Sequence, residues 1–307
     1  MNPLGLVRLI PLMERTSGSP DVKIGLIDGP VVARHSDMTS ESLHEIPGSS
    51  GAACTQTNSV ACLHGTFVAG ILSARRSSPA PAICPNCTLL LRPIFTETTS
   101  GREAMPSATA QELAAAILDC IEAGARVINL SLALAQPSIN GERALEEALD
   151  QAVRRGVIVV AAAGNQGTLG SSAITRHPWV IPVVACDGLG RPMNDSNLGG
   201  SIGRRGLSAP GDGVTSLGAD GQNLTLGGTS VAAPFVTGAI ALLWSEYSVA
   251  SAGQIKLAVT QASMPRRASV VPPLLDAEAA YRALSIESAR GAPHDKADRR
   301  QEPFPHR

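Results

Sequence analysis

The run from Val231 to Trp244, VAAPFVTGAIALLW, constrains the fold more than any other stretch. Its apolar residues fall on nearly every face of a helix, and such a helix is stable only when other elements surround it. The chain has 307 residues and 44% apolar content, enough to build that surrounding core. The helix is expected to begin at Thr229 and Ser230, directly after Gly227 and Gly228, whose missing Cβ atoms allow a sharp turn and the close approach of a substrate strand. Pro234 is then expected in the first turn, where no intrahelical donor is lost. The first N–H groups of a helix have no partner, so a hydroxyl placed there sits beside an anion-binding position. Ser230 is either a simple N-cap or a nucleophile, and the second reading requires a base and an orienting acid elsewhere.

The rest of the chain alternates strand and helix. DVKIGLID (21–28) reads as a short buried strand, TLLLRPIF (88–95) as the next, and RVINLSL (126–132), 157–163, 179–186 and 206–209 as further strands. Helical spacing marks 108–123, 141–155, 253–261 and 276–284. This alternation specifies an α/β fold with a parallel sheet and right-handed crossovers. Asp28 ends the first strand before Gly29-Pro30, and an acid at the carboxyl end of such a strand faces the usual ligand crevice; the plainer alternative is an Asp that only opens the turn. In CLHGTFVAGILSA, Phe67, Val68, Ile71 and Leu72 recur at helical spacing, which puts His64 at a helix start after the Ser/Thr/Gly/Pro-rich loop 38–61. Asn165 follows a strand in AAAGNQG. The chain order is therefore Asp28, His64, Ser230, one of the orders in which an acid–base–nucleophile set occurs. No GxSxG elbow surrounds Ser230, which argues against the α/β-hydrolase arrangement.

Composition excludes several partner classes. A net charge of −1 and 3% aromatic residues give no basis for binding nucleic acid. Apolar runs such as VIVVAAA, from Val157, are too short to span a membrane. The first twenty residues interrupt their apolar part with an Arg and lack a small-residue cleavage site, so no signal peptide is read and a cytoplasmic location is expected. His35, His44 and His177 read as solvated or structural, and His294 and His306 fall in the tail. Cys120 and Cys186 lie in apolar patterns as buried thiols. A reducing cytosol argues against disulfides; local bridges Cys54–Cys62 and Cys84–Cys87 remain open, with a four-cysteine zinc site the weaker alternative because only one pair has CxxC spacing. No cofactor and no metal are expected, and oligomeric state is not readable. Residues 1–20 read as an N-terminal arm, 21–285 as the folded domain, and 286–307 as a tail too polar and charged to order itself.

Four motifs in order make the chain resemble the subtilisin-like serine proteases: IGLIDGPV, LHGTFVAGI, AAAGNQG and GGTSVAAPFVTGAIALL. The resemblance implies a three-layer fold, a mostly parallel central sheet with helices on both faces, and a serine endopeptidase. It implies that Ser230 is the nucleophile, His64 its base and Asp28 the residue that orients His64, with Asn165 and the Ser230 N–H as the oxyanion hole. It further implies that Ser131, Leu132 and Ala133 pair with substrate backbone, and that Ala163, Gly164, Gly228 and Thr229 wall the site. Departures are Phe67 in place of a second His, SLA in place of SLG, and no Asn-containing loop of the kind that often binds calcium, so no calcium is expected there. With 1–20 as an arm, the chain is expected to fold without a prodomain. IDGPV, the LLLRPIF strand and the arm look similar to the PatA-like proteases of cyanobactin maturation, which implies a precursor-peptide substrate cut at its leader; general intracellular peptide cleavage is the alternative. A catalytically silent peptide-binding module and a macrocyclase share the same motifs.

Overall fold

The computed structural model describes residues 2–47, 53–95, 97, 108–132, 142–261 and 269–291. Seven strands form one sheet: β1 (Lys23–Asp28), β2 (Leu43–Glu45), β3 (Thr88–Pro93), β4 (Val127–Leu130), β5 (Ile158–Ala162), β6 (Ile181–Cys186) and β7 (Leu207–Pro210). Their spatial order is β2-β3-β1-β4-β5-β6-β7, and every neighbouring pair is parallel. The chain leaves β1 to build β3 and β2 on one side, then returns to build β4 on the other. That reversal opens a crevice at the carboxyl ends of β1 and β4, where α/β sheets place their ligands.

The strands sort their side chains by parity, as a sheet covered on both faces requires. Ile24, Leu26, Leu89, Leu91, Val127, Ile158 and Val160 join one apolar cluster, while Ile27, Leu90, Ile128, Leu130 and Val159 join another. The first cluster is completed by α3 (Val60–Ser73), α8 (Thr229–Glu246), α9 (Ala252–Gln261) and α10 (Ala277–Gly291), the second by α4 (Ala110–Glu122), α5 (Glu142–Arg155) and α6 (Ala173–Arg176). These are the three layers of the subtilisin-like α/β fold. The short helix α7 (Gly200–Arg205) precedes β7, and β8 (Val214–Leu217) and β9 (Asn223–Leu226) form a separate antiparallel hairpin that leads into α8. Every residue of α8 from Val231 to Trp244 is buried, so the run that is apolar on all faces lies enclosed. Each large side chain there contributes about 1.5–3 kcal/mol by burial.

The structure differs from the sequence expectation at several boundaries. The first twenty residues carry α1 (Pro3–Leu6) and α2 (Ile10–Arg15), and Val7, Leu9 and Leu12 are fully buried in the main core. Arg76 fastens this segment by donating to the Thr16 carbonyl at 2.8 Å, and the Ala277 N–H donates to the Val7 carbonyl at 3.1 Å. At the other end, α10 continues past Ser285 to Gly291, because extending a formed helix through good helix formers costs little; 292–307 lie outside the described residues. The helix bearing His64 starts earlier than expected, at Val60, since the Ser59 hydroxyl caps it by accepting from the Cys62 N–H at 3.1 Å. Among the described residues, no helix is long and apolar enough to cross a membrane.

Candidate active site

Asp28 closes β1 and is fully buried. His64 sits in the second turn of α3, and Ser230 is the second residue of α8. Asp28 Oδ1 lies 2.7 Å from His64 Nδ1, and His64 Nε2 lies 3.0 Å from Ser230 Oγ. A carboxylate only accepts, so the Nδ1 proton faces Asp28 and the Nε2 lone pair is left for the serine hydroxyl. Asp28 Oδ1 is itself held by the Gly29 N–H at 2.6 Å. Burial pushes the His64 pKa down, but the charge of Asp28 and the hydrogen bond to it outweigh burial and leave the imidazole raised above its ordinary 6.5.

Two glycines make that approach sterically feasible. A Cβ on Gly29 would stand 2.0 Å from the Ala61 carbonyl oxygen, and one on Gly65 would stand 2.3 Å from that of Gly29. The Asp28 turn and the first turns of α3 therefore touch backbone to backbone, which only residues without a Cβ permit.

The helix that carries Ser230 is set by a different device. Gly228 precedes it with φ +118, a left-handed value that favours glycine, and its N–H donates to the Gly211 carbonyl at 2.7 Å. Pro234 lies inside α8 and not in its first turn, a correction to the sequence reading. Counting from Thr229, it falls where its N–H would have bonded the Ser230 carbonyl. That carbonyl accepts instead from Ser131 Oγ at 2.9 Å. Ser131 Oγ in turn accepts from Asn129 Nδ2 at 2.6 Å, and Asn129 Oδ1 accepts from Thr237 Oγ1 at 2.8 Å. Asn129 and Thr237 are fully buried. This chain from α8 through β4 and back to α8 anchors Ser230 from behind. Sequence reasoning missed Asn129 and Thr237, whose contact joins positions 108 residues apart.

Asn165 stands exposed after β5, and its Oδ1 accepts from the Thr229 N–H at 2.9 Å. Since a backbone N–H only donates, the amide is oriented with Nδ2 as its free donor. Thr229 Oγ1 accepts from the Gly164 N–H at 3.1 Å, tying the β5 loop to the start of α8. Asn197, also missed, holds the loop beyond by accepting from the Gln166 and Thr168 N–H groups and donating to the Ala163 carbonyl. Ser131, Ala163, Gly164, Gly228 and Thr229 thus gather around Ser230 or the loop beside it; Leu132 is buried in the second apolar cluster, and Ala133 lies outside the described residues.

The cysteines divide. Cys54 and Cys62 are bridged, with Cα atoms 5.6 Å apart. Cys84 and Cys87 are buried free thiols, so the second bridge is not formed. The four do not assemble a zinc site: among the described residues the one grouping of metal-ligating side chains is Cys54, Cys62 and Glu97, two of which are spent in the bridge.

The chain is similar to known proteins over most of its length. The profile of the Subtilase family matches residues 19–296. Subtilisin DY of Bacillus licheniformis is 33% identical over 241 residues, 77% of this chain and 81% of that protein. Against several other subtilisins the chain spans 58% of their length. Among solved structures, the protease domain of PatA superposes with a TM-score of 0.80 at 28% identity, covering 88% of this chain and 97% of that one. The prenylagaramide maturation protease PagA gives 0.78 at 27% identity, covering 90% and 98%.

Proposed function

The chain belongs to the subtilase family of serine endopeptidases, and from that premise we propose that it cleaves the leader from a ribosomally made precursor peptide, using Ser230 as nucleophile, His64 as general base and Asp28 as the orienting acid. The observation that carries the assignment is the unbroken hydrogen-bonded line Asp28–His64–Ser230. Ser230 Oγ attacks the scissile carbonyl while His64 Nε2 takes its proton; Asp28 holds the tautomer and stabilises the imidazolium. Negative charge develops on the carbonyl oxygen, where Asn165 Nδ2 and the Ser230 N–H donate to it. Collapse of that intermediate breaks the C–N bond, and His64 gives its proton to the leaving amine. Water, deprotonated by His64, then releases the acyl group. Ser131 to Ala133 pair with the substrate backbone at the rim.

The precursor-peptide substrate rests on the likeness to PatA and PagA, the second of which is a maturation protease. A cytoplasmic site belongs to the same proposal; the Cys54–Cys62 bridge opposes it, because the cytosol keeps thiols reduced. The test is labelling by a fluorophosphonate beside Ser230→Ala and His64→Ala, followed by mass spectrometry of candidate precursor peptides. Labelling that needs both residues, with release of an intact leader, is the expected result. Turnover by folded Ser230→Ala equal to the parent's sinks the assignment. Cleavage that ignores the leader boundary leaves a protease of general peptide substrates.

A further inference from the structure

A cavity of about 900 Å³ opens beside the amino ends of β6 and β7, the rim of the sheet opposite Asp28 and Ser230. Cavities of this size hold small organic ligands. Trp179, Leu257 and Val271 give it apolar walls, and Arg204, Arg205 and Lys256 line it, with no carboxylate among the described lining residues. None of the three cations takes part in an ion pair among the described residues.

Arg205 and Lys256 are half-buried, and Arg204 beside them is exposed. Burial, and then the charge of Arg205, push Lys256 down to about 8. Burial, and then Arg204, lower Arg205 in the same way. Arg205 donates to the Thr175 and Arg176 carbonyls at 3.2 and 2.8 Å, but its Nε is buried and has no acceptor among the described residues. Lys256 Nζ donates to the Pro178 carbonyl at 2.8 Å and stands 4.5 Å from the centre of the Trp179 ring. Two half-buried cations thus face a partly apolar recess, with one buried donor, Arg205 Nε, left over. Partial burial of like charges without a counter-charge is unfavourable, and an anion offsets it.

We propose that this cavity is a binding site for an organic carboxylate with an apolar or aromatic body, Arg205 and Lys256 taking the acid and Trp179, Leu257 and Val271 the body. Binding there is independent of the proteolytic site. A free small molecule and an acidic residue of a peptide beside an apolar one both carry this chemistry.

The test titrates folded Ser230→Ala protein with 3-phenylpropionate, with its uncharged amide, and with the acetylated, amidated dipeptide of leucine and aspartate, following Trp179 fluorescence. Trp244, the other tryptophan, is buried and gives a constant background. A saturable change with either acid, absent with the amide and at least about tenfold weaker in Arg205→Gln, supports the site. Lys256→Gln serves the same purpose should the arginine variant misfold. Tighter binding of the dipeptide identifies a peptide acid as the occupant, tighter binding of 3-phenylpropionate a free one. No saturable change with either acid, an equal response to the amide, or undiminished binding in both variants overturns the proposal. Arg205→Gln in the Ser230 protein should still label with fluorophosphonate at the parent rate.

Discussion

Thr237→Val isolates the anchor behind the nucleophile. Valine has threonine's shape, so no cavity opens and no packing is lost; only the hydroxyl goes. The Asn129 Oδ1 it served at 2.8 Å is fully buried, and a buried acceptor left without a donor costs about 1–3 kcal/mol. For a domain of this size that is a fall of roughly 2–12 °C in melting temperature. Calorimetry on the Ser230→Ala background avoids self-digestion. Thr237→Ser restores the hydroxyl and should recover most of the loss. Turnover reads the same network from its other end. Asn129 freed at Oδ1 holds Ser131 less firmly, and Ser131 holds the Ser230 carbonyl that Pro234 leaves unbonded. Misplacing a nucleophile by about 1 Å costs up to roughly a hundredfold. A loosened anchor should therefore lower kcat by about tenfold or more and leave KM alone, since Thr237 is enclosed in the core. A valine variant within about 0.5 kcal/mol of the parent, with unchanged kcat, refutes the anchoring argument.

Two further outcomes follow from the geometry around His64. Its raised pKa means that kcat/KM should climb with pH through a value above 6.5 as the imidazole becomes neutral; the stability it lends the fold is fully present below its unfolded pKa and is lost as pH rises through the folded one. Asp28→Asn removes both influences that raise it and leaves burial, so the limb should move below 6.5 and kcat should fall by about 10⁴ through the wrong tautomer; a limb that stays put counts against Asp28 as the cause. Gly65→Ala puts a Cβ 2.3 Å from the Gly29 carbonyl oxygen, an overpacking that costs about 1–3 kcal/mol and drives α3 off the Asp28 turn; fluorophosphonate labelling of that variant at the parent rate would falsify the close-contact account.

Much of this was legible because the features that carry it are local. Parallel strands buried on both faces read as short apolar runs, which is why DVKIGLID and TLLLRPIF stand out, and the Asp28, His64 and Ser230 motifs each sit at an element boundary marked by glycine. What escaped lies in contacts between distant positions. Nothing near Asn129 announces Thr237, and nothing near Asn165 announces Asn197. Pro234 escaped for a related reason: the Ser230 carbonyl that its missing N–H leaves free inside α8 is bonded by Ser131, just after β4 and distant in sequence. The segments α1 and α2 are too short to show a helical period, so their burial could not be read. The hairpin β8–β9 did carry an Asp220-Gly221 turn signal, but its strands are brief, and β9 is largely exposed.

The same contacts separate what this site can vary from what it cannot. The reacting groups are fixed from the core outward: α8 by burial on all faces, α3 by two glycine contacts, Ser230 by a buried polar chain. Each fixture is intolerant of added atoms, and each lies away from the substrate. The exposed groups are Asn165 and the loop held by Asn197. Under the proposed function, substitutions that alter which peptide is cut act at that exposed loop, since a change deeper in shifts Ser230 before it reshapes a pocket. A site built this way keeps its chemistry constant while its surface changes, which is how one geometry can serve both a general protease and a protease dedicated to a single precursor.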